Sequence, residues 1–255
     1  MHSRNVLLAL TPALVASAAV SKRIVGGELA TLGQFPYLVS ITGLYEGTDE
    51  YSQICGGALL NPTTVLTAAH CVQWVLDAPK DLNVRAGTLT FDQGGVKSVV
   101  ESYVQHPEYK NSNYDFAILK LATPIEESET ISYAKLQEED VDPVAGAVAT
   151  VAGWGLDSDG GLRRPALYWV DISVVDREEC KRAFAVRQND ITDEMWCAGT
   201  KEGGKGDCSG DSGGPVTING IVAGVVSWSL GCASAEFPSV YAKVSKAIPF
   251  IKAHL

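Results

Sequence analysis

Between Gly206 and Pro215 the chain reads Gly-Asp-Cys-Ser-Gly-Asp-Ser-Gly-Gly-Pro, and the second half of that stretch can build a nucleophile and an anion-binding turn together. Gly210, Gly213 and Gly214 around Ser212 let the backbone turn tightly and bring amide N–H groups close to a substrate carbonyl. A serine hydroxyl attacks a carbonyl poorly until a base takes its proton. Imidazole suits that task, with an unperturbed pKa of about 6.5 near working pH, and Thr67-Ala68-Ala69-His70-Cys71 supplies one. Asn113-Tyr114-Asp115-Phe116-Ala117-Ile118-Leu119 sets an acid at the edge of an apolar strand, where an unpaired carboxylate would be costly. A lone His or Asp is usually structural, and a glycine-rich serine is usually just a turn. The three segments together, in the order His70, Asp115, Ser212, point to acyl transfer.

On these motifs the chain resembles the chymotrypsin family of serine proteases, and within it the trypsins, the compact fungal type above all. The resemblance runs from Ile24-Val25-Gly26-Gly27 to the C-terminus. It implies an all-β fold of two antiparallel six-stranded β-barrels, with the active site in the cleft between them and a short C-terminal helix. It implies that His70 is the general base, that Asp115 fixes its tautomer, and that the N–H groups of Gly210 and Ser212 form the oxyanion hole. Ser227 matches a serine that also bonds the Asp115 carboxylate. Asp211 matches an acid that pairs with the new α-ammonium of Ile24 after cleavage behind Arg23. The implied disulfides are Cys55–Cys71, Cys180–Cys197 and Cys208–Cys232.

The primary pocket departs from a trypsin's. Its floor position is Gly206, and the acid stands one place later at Asp207. Ser209, Ser227, Trp228, Ser229, Gly231 and Ser239 complete the substrate-binding set by resemblance. Ser229 and Ser239 stand where glycine is common in pockets that take large side chains. Asp207 could meet a substrate Arg or Lys from the side, directly or through water, and basic residues are favoured because a pocket acid is costly without a cation. Glycine at the floor suits an apolar residue, the two serines suit a small one, and Asp207 bonded internally or turned outward is a further alternative; all of these readings stay open.

Export is expected from the first residues. Arg4 gives a positive start, Val6 to Val15 is mostly apolar, and Ala16-Ser17-Ala18 offers small residues for cleavage. Residues 1–18 thus read as a signal peptide and 19–23 as a propeptide ending in Lys22-Arg23. The protease domain is expected over 24–255, with barrels at about 24–135 and 136–255. The chain carries 20 basic and 30 acidic side chains. Arg4, Lys22 and Arg23 precede Ile24 with no acid among them, so the part after the propeptide stands at −13. Such a surface disfavours nucleic acid and anionic membranes. The expected partners are protein or peptide substrates and protein protease inhibitors, and the expected state is a secreted monomer. Six cysteines in an exported chain favour disulfides over a metal, since no Cys-x-x-Cys pair occurs. Asn83-Val84-Arg85-Ala86-Gly87-Thr88 lacks the acids of a calcium loop, so neither metal nor cofactor is expected.

The elements that must position these groups are mostly short β-runs between Gly, Pro, Asn and Asp. Leu38–Ile41, Val99–Val104, Phe116–Leu121, Val148–Ala152, Leu167–Val175, Ile221–Trp228 and Val240–Val244 are the clearest. Asp176 is expected to cap a short helix through about Phe184. A second helix starts near Ser245, with Pro249 in its first turns or kinking it. Two rival classes remain: a catalytically silent binding module on the same fold, and an esterase whose Gly-x-Ser-x-Gly elbow is echoed by Gly210–Gly214. The order His, Asp, Ser is wrong for the second.

Overall fold

The computed structural model describes residues 24–44, 51–75, 81–163 and 165–255. The expected signal peptide, propeptide and Arg23 lie outside the described residues. A two-residue strand β1 (Glu28–Leu29) is followed by β2 (Leu38–Leu44), β3 (Tyr51–Asn61) and β4 (Thr64–Thr67). A 3₁₀ segment (Ala69–Val75) then leads to β5 (Leu82–Ala86), β6 (Val96–Gln105) and β7 (Ala117–Leu121). These strands, β1 excepted, close antiparallel in the order β2-β3-β4-β7-β6-β5.

A second set follows: β8 (Val148–Gly153), β9 (Tyr168–Val174), helix α1 (Arg177–Ala185), β10 (Met195–Gly199), β11 (Pro215–Ile218), β12 (Ile221–Trp228), β13 (Ser239–Lys243) and helix α2 (Val244–Ala253). The order β9-β10-β13-β12-β11-β8 closes through β8–β9, giving the second six-stranded barrel. The free stretch of the β9 edge takes β1, with Glu28 opposite Trp169 and Leu29 opposite Tyr168, so the segment after Gly27 belongs with the second barrel.

Sequence period explains the strands. In β9, Tyr168, Val170, Ile172 and Val174 are buried while Asp171 and Ser173 face out, the alternation that a pleated, half-buried strand requires. The core of the first barrel continues without a break into Val222, Val225 and Ala242 of the second, and into Val244, Ala247, Ile248 and Ile251 of α2. Those four helix positions repeat at three and four residues, one apolar stripe. α2 thus joins the two barrels along one apolar seam.

Both helices show how local chemistry sets their ends. Asp176 caps α1, its Oδ1 accepting from the N–H groups of Glu178 and Glu179 at 3.0 Å each. Two otherwise unpaired donors are satisfied in this way. Pro249 sits inside α2 and cannot donate to the carbonyl four residues back. That carbonyl, on Ser245, instead accepts from the Asp140 N–H at 3.2 Å, so the connection between the barrels completes the helix. The same connection meets the second barrel at Leu136, which pairs in parallel with Val222. The three disulfides are Cys55–Cys71, Cys180–Cys197 and Cys208–Cys232.

Candidate active site

Strand register brings the candidate residues to one place. β4 and β7 run antiparallel with Thr67 opposite Ala117. His70 lies three residues past Thr67 and Asp115 two before Ala117, so both leave the first barrel at the same end. In the second barrel Pro215 of β11 faces Val225 of β12. Ser212 precedes Pro215 by three residues and Ser227 follows Val225 by two, which again puts them at one end. The two ends meet: Ser227 Oγ of the second barrel donates to Asp115 Oδ2 of the first at 2.6 Å.

Asp115 is 1% exposed, and its carboxylate collects three donors. Oδ1 accepts from the His70 backbone N–H at 3.0 Å, while Oδ2 accepts from His70 Nδ1 at 2.8 Å as well as from Ser227. A proton on Nδ1 leaves Nε2 as the basic nitrogen of the neutral ring. The Ser212 turn lies near Cys71, whose Sγ is 3.8 Å from His70 Nε2. The Gly56 N–H donates to the Ser212 carbonyl at 2.7 Å, and a Cβ on the neighbouring Gly213 would come within 3.0 Å of Cys71 Sγ. Ser212 itself is half-buried.

Gly210 is confined in two ways. Its φ of +102° lies where side chains are rarely tolerated, and a Cβ would sit 3.1 Å from both Arg163 Nη2 and Gln53 Oε1. Neither Gln53 nor Arg163 was marked by the sequence. Gln53 Nε2 donates to the Gly210 carbonyl at 2.7 Å and to the Cys55 carbonyl at 3.0 Å, and its Oε1 accepts from Arg163 Nη1. No local motif flags a glutamine in mid-strand or an arginine in a surface loop.

Two further acids are buried side by side. Asp211 is 1% exposed; its oxygens accept from the Gly155 N–H at 2.8 Å and the Cys208 N–H at 3.0 Å. Burial nevertheless pushes its carboxyl up to about 7, with the nearby Asp207 adding to the rise. Ile24 is buried in the second barrel's core, and Val25 pairs with Gly206, whose N–H donates to the Val25 carbonyl at 3.1 Å.

Asp207 is 3% exposed and bonded internally, accepting from the Tyr241 hydroxyl and a Ser239 side-chain hydrogen bond. Burial raises its carboxyl, and the two hydroxyls oppose the rise. Sequence reading missed Tyr241, although it stands two residues after Ser239 on β13 and so on the same face. Of the remaining pocket candidates, Ser209 and Gly231 are exposed, Trp228 and Ser229 half-buried, and Gly206 buried.

Comparison with known proteins gives the family of the chain. A trypsin family model matches residues 24–251. Trypsin Blo t 3 of Blomia tropicalis is 36% identical over 249 residues, covering 96% of this chain and 90% of that protein. Trypsin 5G1 of Aedes aegypti is 36% identical over 234 residues, covering 91% and 85%. Trypsin alpha-4 of Lucilia cuprina is 38% identical over 225 residues, covering 88% and 84%. These relatives are arthropod proteins, and the fungal affinity expected from the sequence finds no support among them. The chain belongs to the trypsin family and is a serine endopeptidase.

Proposed function

We propose that the chain is exported as a zymogen, cut after Arg23, and hydrolyses peptide bonds of protein substrates through an acyl-enzyme on Ser212. The signal peptide would be 1–18, the propeptide 19–23 and the protease domain 24–255, acting as a secreted monomer subject to protein inhibitors. The observation that carries the reading is the Asp115 carboxylate shared by His70 of the first barrel and Ser227 of the second. His70 Nε2 takes the Ser212 hydroxyl proton as Oγ bonds to the scissile carbonyl carbon. The carbonyl electron pair moves to oxygen, where the Gly210 and Ser212 N–H groups receive it. Collapse expels the amine, which takes the proton from His70, and water repeats the sequence on the ester. After activation, the Ile24 ammonium neutralises Asp211 and holds the turn.

For the residue before the scissile bond we infer a preference for Arg or Lys. Asp207 is a buried carboxylate held up in pKa by desolvation, and a substrate cation would relieve that cost. A second reading, cleavage after apolar or small residues, is supported by the internal bonding of Asp207 to Tyr241 and Ser239. The test is kcat/KM for the activated enzyme on peptides differing only in Arg, Lys, Phe, Leu or Ala at that position. An Arg and Lys preference that collapses in Asp207→Ser supports the first reading. A Phe, Leu or Ala preference that ignores the substitution supports the second and sinks the first.

A further inference from the structure

The peptide plane joining Gly210 to Asp211 lies between the two N–H groups assigned to the oxyanion hole, so its tilt sets their spacing. That plane is held from the other barrel. Gln53, 1% exposed on β3, donates to the Gly210 carbonyl at 2.7 Å. Its second donor goes to the Cys55 carbonyl at 3.0 Å and its oxygen accepts from Arg163. Both donors face carbonyls and the acceptor faces a guanidinium, so the amide has one satisfied orientation.

Arg163 reaches this spot from the connection between β8 and β9. The same connection is tied to the oxyanion turn by the Leu156 N–H, which donates to the Ser209 carbonyl at 2.9 Å. The guanidinium is half-buried, lies against the Gly210 α-carbon and faces the charge of Asp211. A glycine held at φ +102° has no side chain of its own to lock it. The lock is external.

We propose that Gln53 and Arg163 are positioning residues that hold the Gly210–Asp211 peptide plane, and with it the spacing of the two oxyanion-hole donors. Neither needs to touch substrate. Arg163 fixes the Gln53 amide, and Gln53 fixes the carbonyl of Gly210. This rests on the reading of Ser212 as nucleophile and Gly210 as donor, and the test separates the two.

The test compares the activated parent enzyme with Arg163→Gln, Arg163→Lys and Gln53→Ala. Loss of a hole donor costs about 10²–10³ in rate, so loss of its brace is expected to lower kcat about tenfold with KM nearly unchanged. The inhibition constant of a peptidyl trifluoromethyl ketone, whose adduct with Ser212 places an oxyanion in the hole, rises by the same factor. Arg163→Lys, which keeps the charge and a donor, recovers part of the loss. Arg163 sits in a half-exposed loop, so its variants carry the test even where Gln53→Ala fails to fold. A parent that neither hydrolyses peptide nor takes the ketone on Ser212 overturns the site reading and this proposal with it. A reactive parent whose Arg163→Gln variant matches it in kcat and ketone affinity, or differs in KM alone, overturns this proposal by itself.

Discussion

Asp211 is the buried carboxyl to which the proposed cleavage would bring the Ile24 ammonium, and its burial in the uncleaved chain has a measurable cost. Its pKa moves from 3.8 to about 7 on burial. At about 1.4 kcal/mol per pKa unit, ionising it in place costs on the order of 4 kcal/mol. Below pH 3.8 the group is protonated in the folded and unfolded chain alike, and folding stability is unaffected. Between that pH and about 7 the unfolded chain releases the proton and the folded chain keeps it, so stability falls as pH rises. Above about 7 both forms are ionised and the loss is complete.

The assay is thermal unfolding of the uncleaved chain carrying Ser212→Ala, which prevents self-cleavage, with and without Asp211→Asn. Asparagine cannot ionise, so its stability curve lacks this slope; Asp207 titrates in both proteins, and its coupling to Asp211 is part of the difference between them. At about 2–4 °C per kcal/mol for a domain of this size, the gap between the two melting temperatures should change by about 10 °C between pH 4 and pH 8, in favour of Asn at the higher pH. Cleavage at Arg23–Ile24 should recover much of the loss in the Asp211 protein, because the new ammonium supplies the missing charge. A melting-temperature gap that stays constant across that range would refute the reasoning.

Gly210→Ala forces a Cβ into contact with Arg163 and Gln53 at a φ of +102°, and should lower kcat about 10²–10³-fold while burst titration still counts a reactive Ser212. Ser227→Ala removes a hydroxyl bonded to the buried Asp115 carboxylate and should cost about tenfold or more in kcat/KM, read from steady-state kinetics. Asp176→Ala removes the α1 cap; it should lower stability by about 1 kcal/mol, seen by denaturant unfolding, and leave kcat/KM unchanged.

Much of the scaffold could be read from strands that alternate or carry branched apolar runs. β12 falls on the expected Ile221–Trp228, and β8 and β9 fall within a residue of expectation. Val244, expected to close the last strand, instead opens α2. β3 escaped notice because Cys55-Gly56-Gly57-Ala58 is buried on both faces and does not alternate. Its Gly56 is needed for a close approach, since a Cβ there would sit 3.0 Å from the Gly214 α-carbon, a contact across barrels that no local pattern encodes. β11 is only four residues long and begins with Pro215, yet Asn219-Gly220 between Ile218 and Ile221 is a strong hairpin signal that went unused.

The candidate site divides along the same line. His70, Asp115 and Ser212 sit in motifs that single them out as candidates, and Ser227 is marked by the resemblance. Gln53, Arg163 and Tyr241 make contacts that form only when distant segments meet, 157 residues apart in the case of Gln53 and Gly210. The internal bonding of Asp207 was one of several alternatives in the sequence, and its hydroxyl partner Tyr241 came only with the register of β13 against β12.

The most direct measurement is reaction of the activated chain with a peptidyl phosphonate, with the modified residue located by mass spectrometry and peptidase activity followed in parallel. The account predicts one adduct per chain, on Ser212, formed in step with loss of activity and absent from Ser212→Ala, which should be inactive. An adduct elsewhere, or peptide hydrolysis that survives Ser212→Ala, would contradict it.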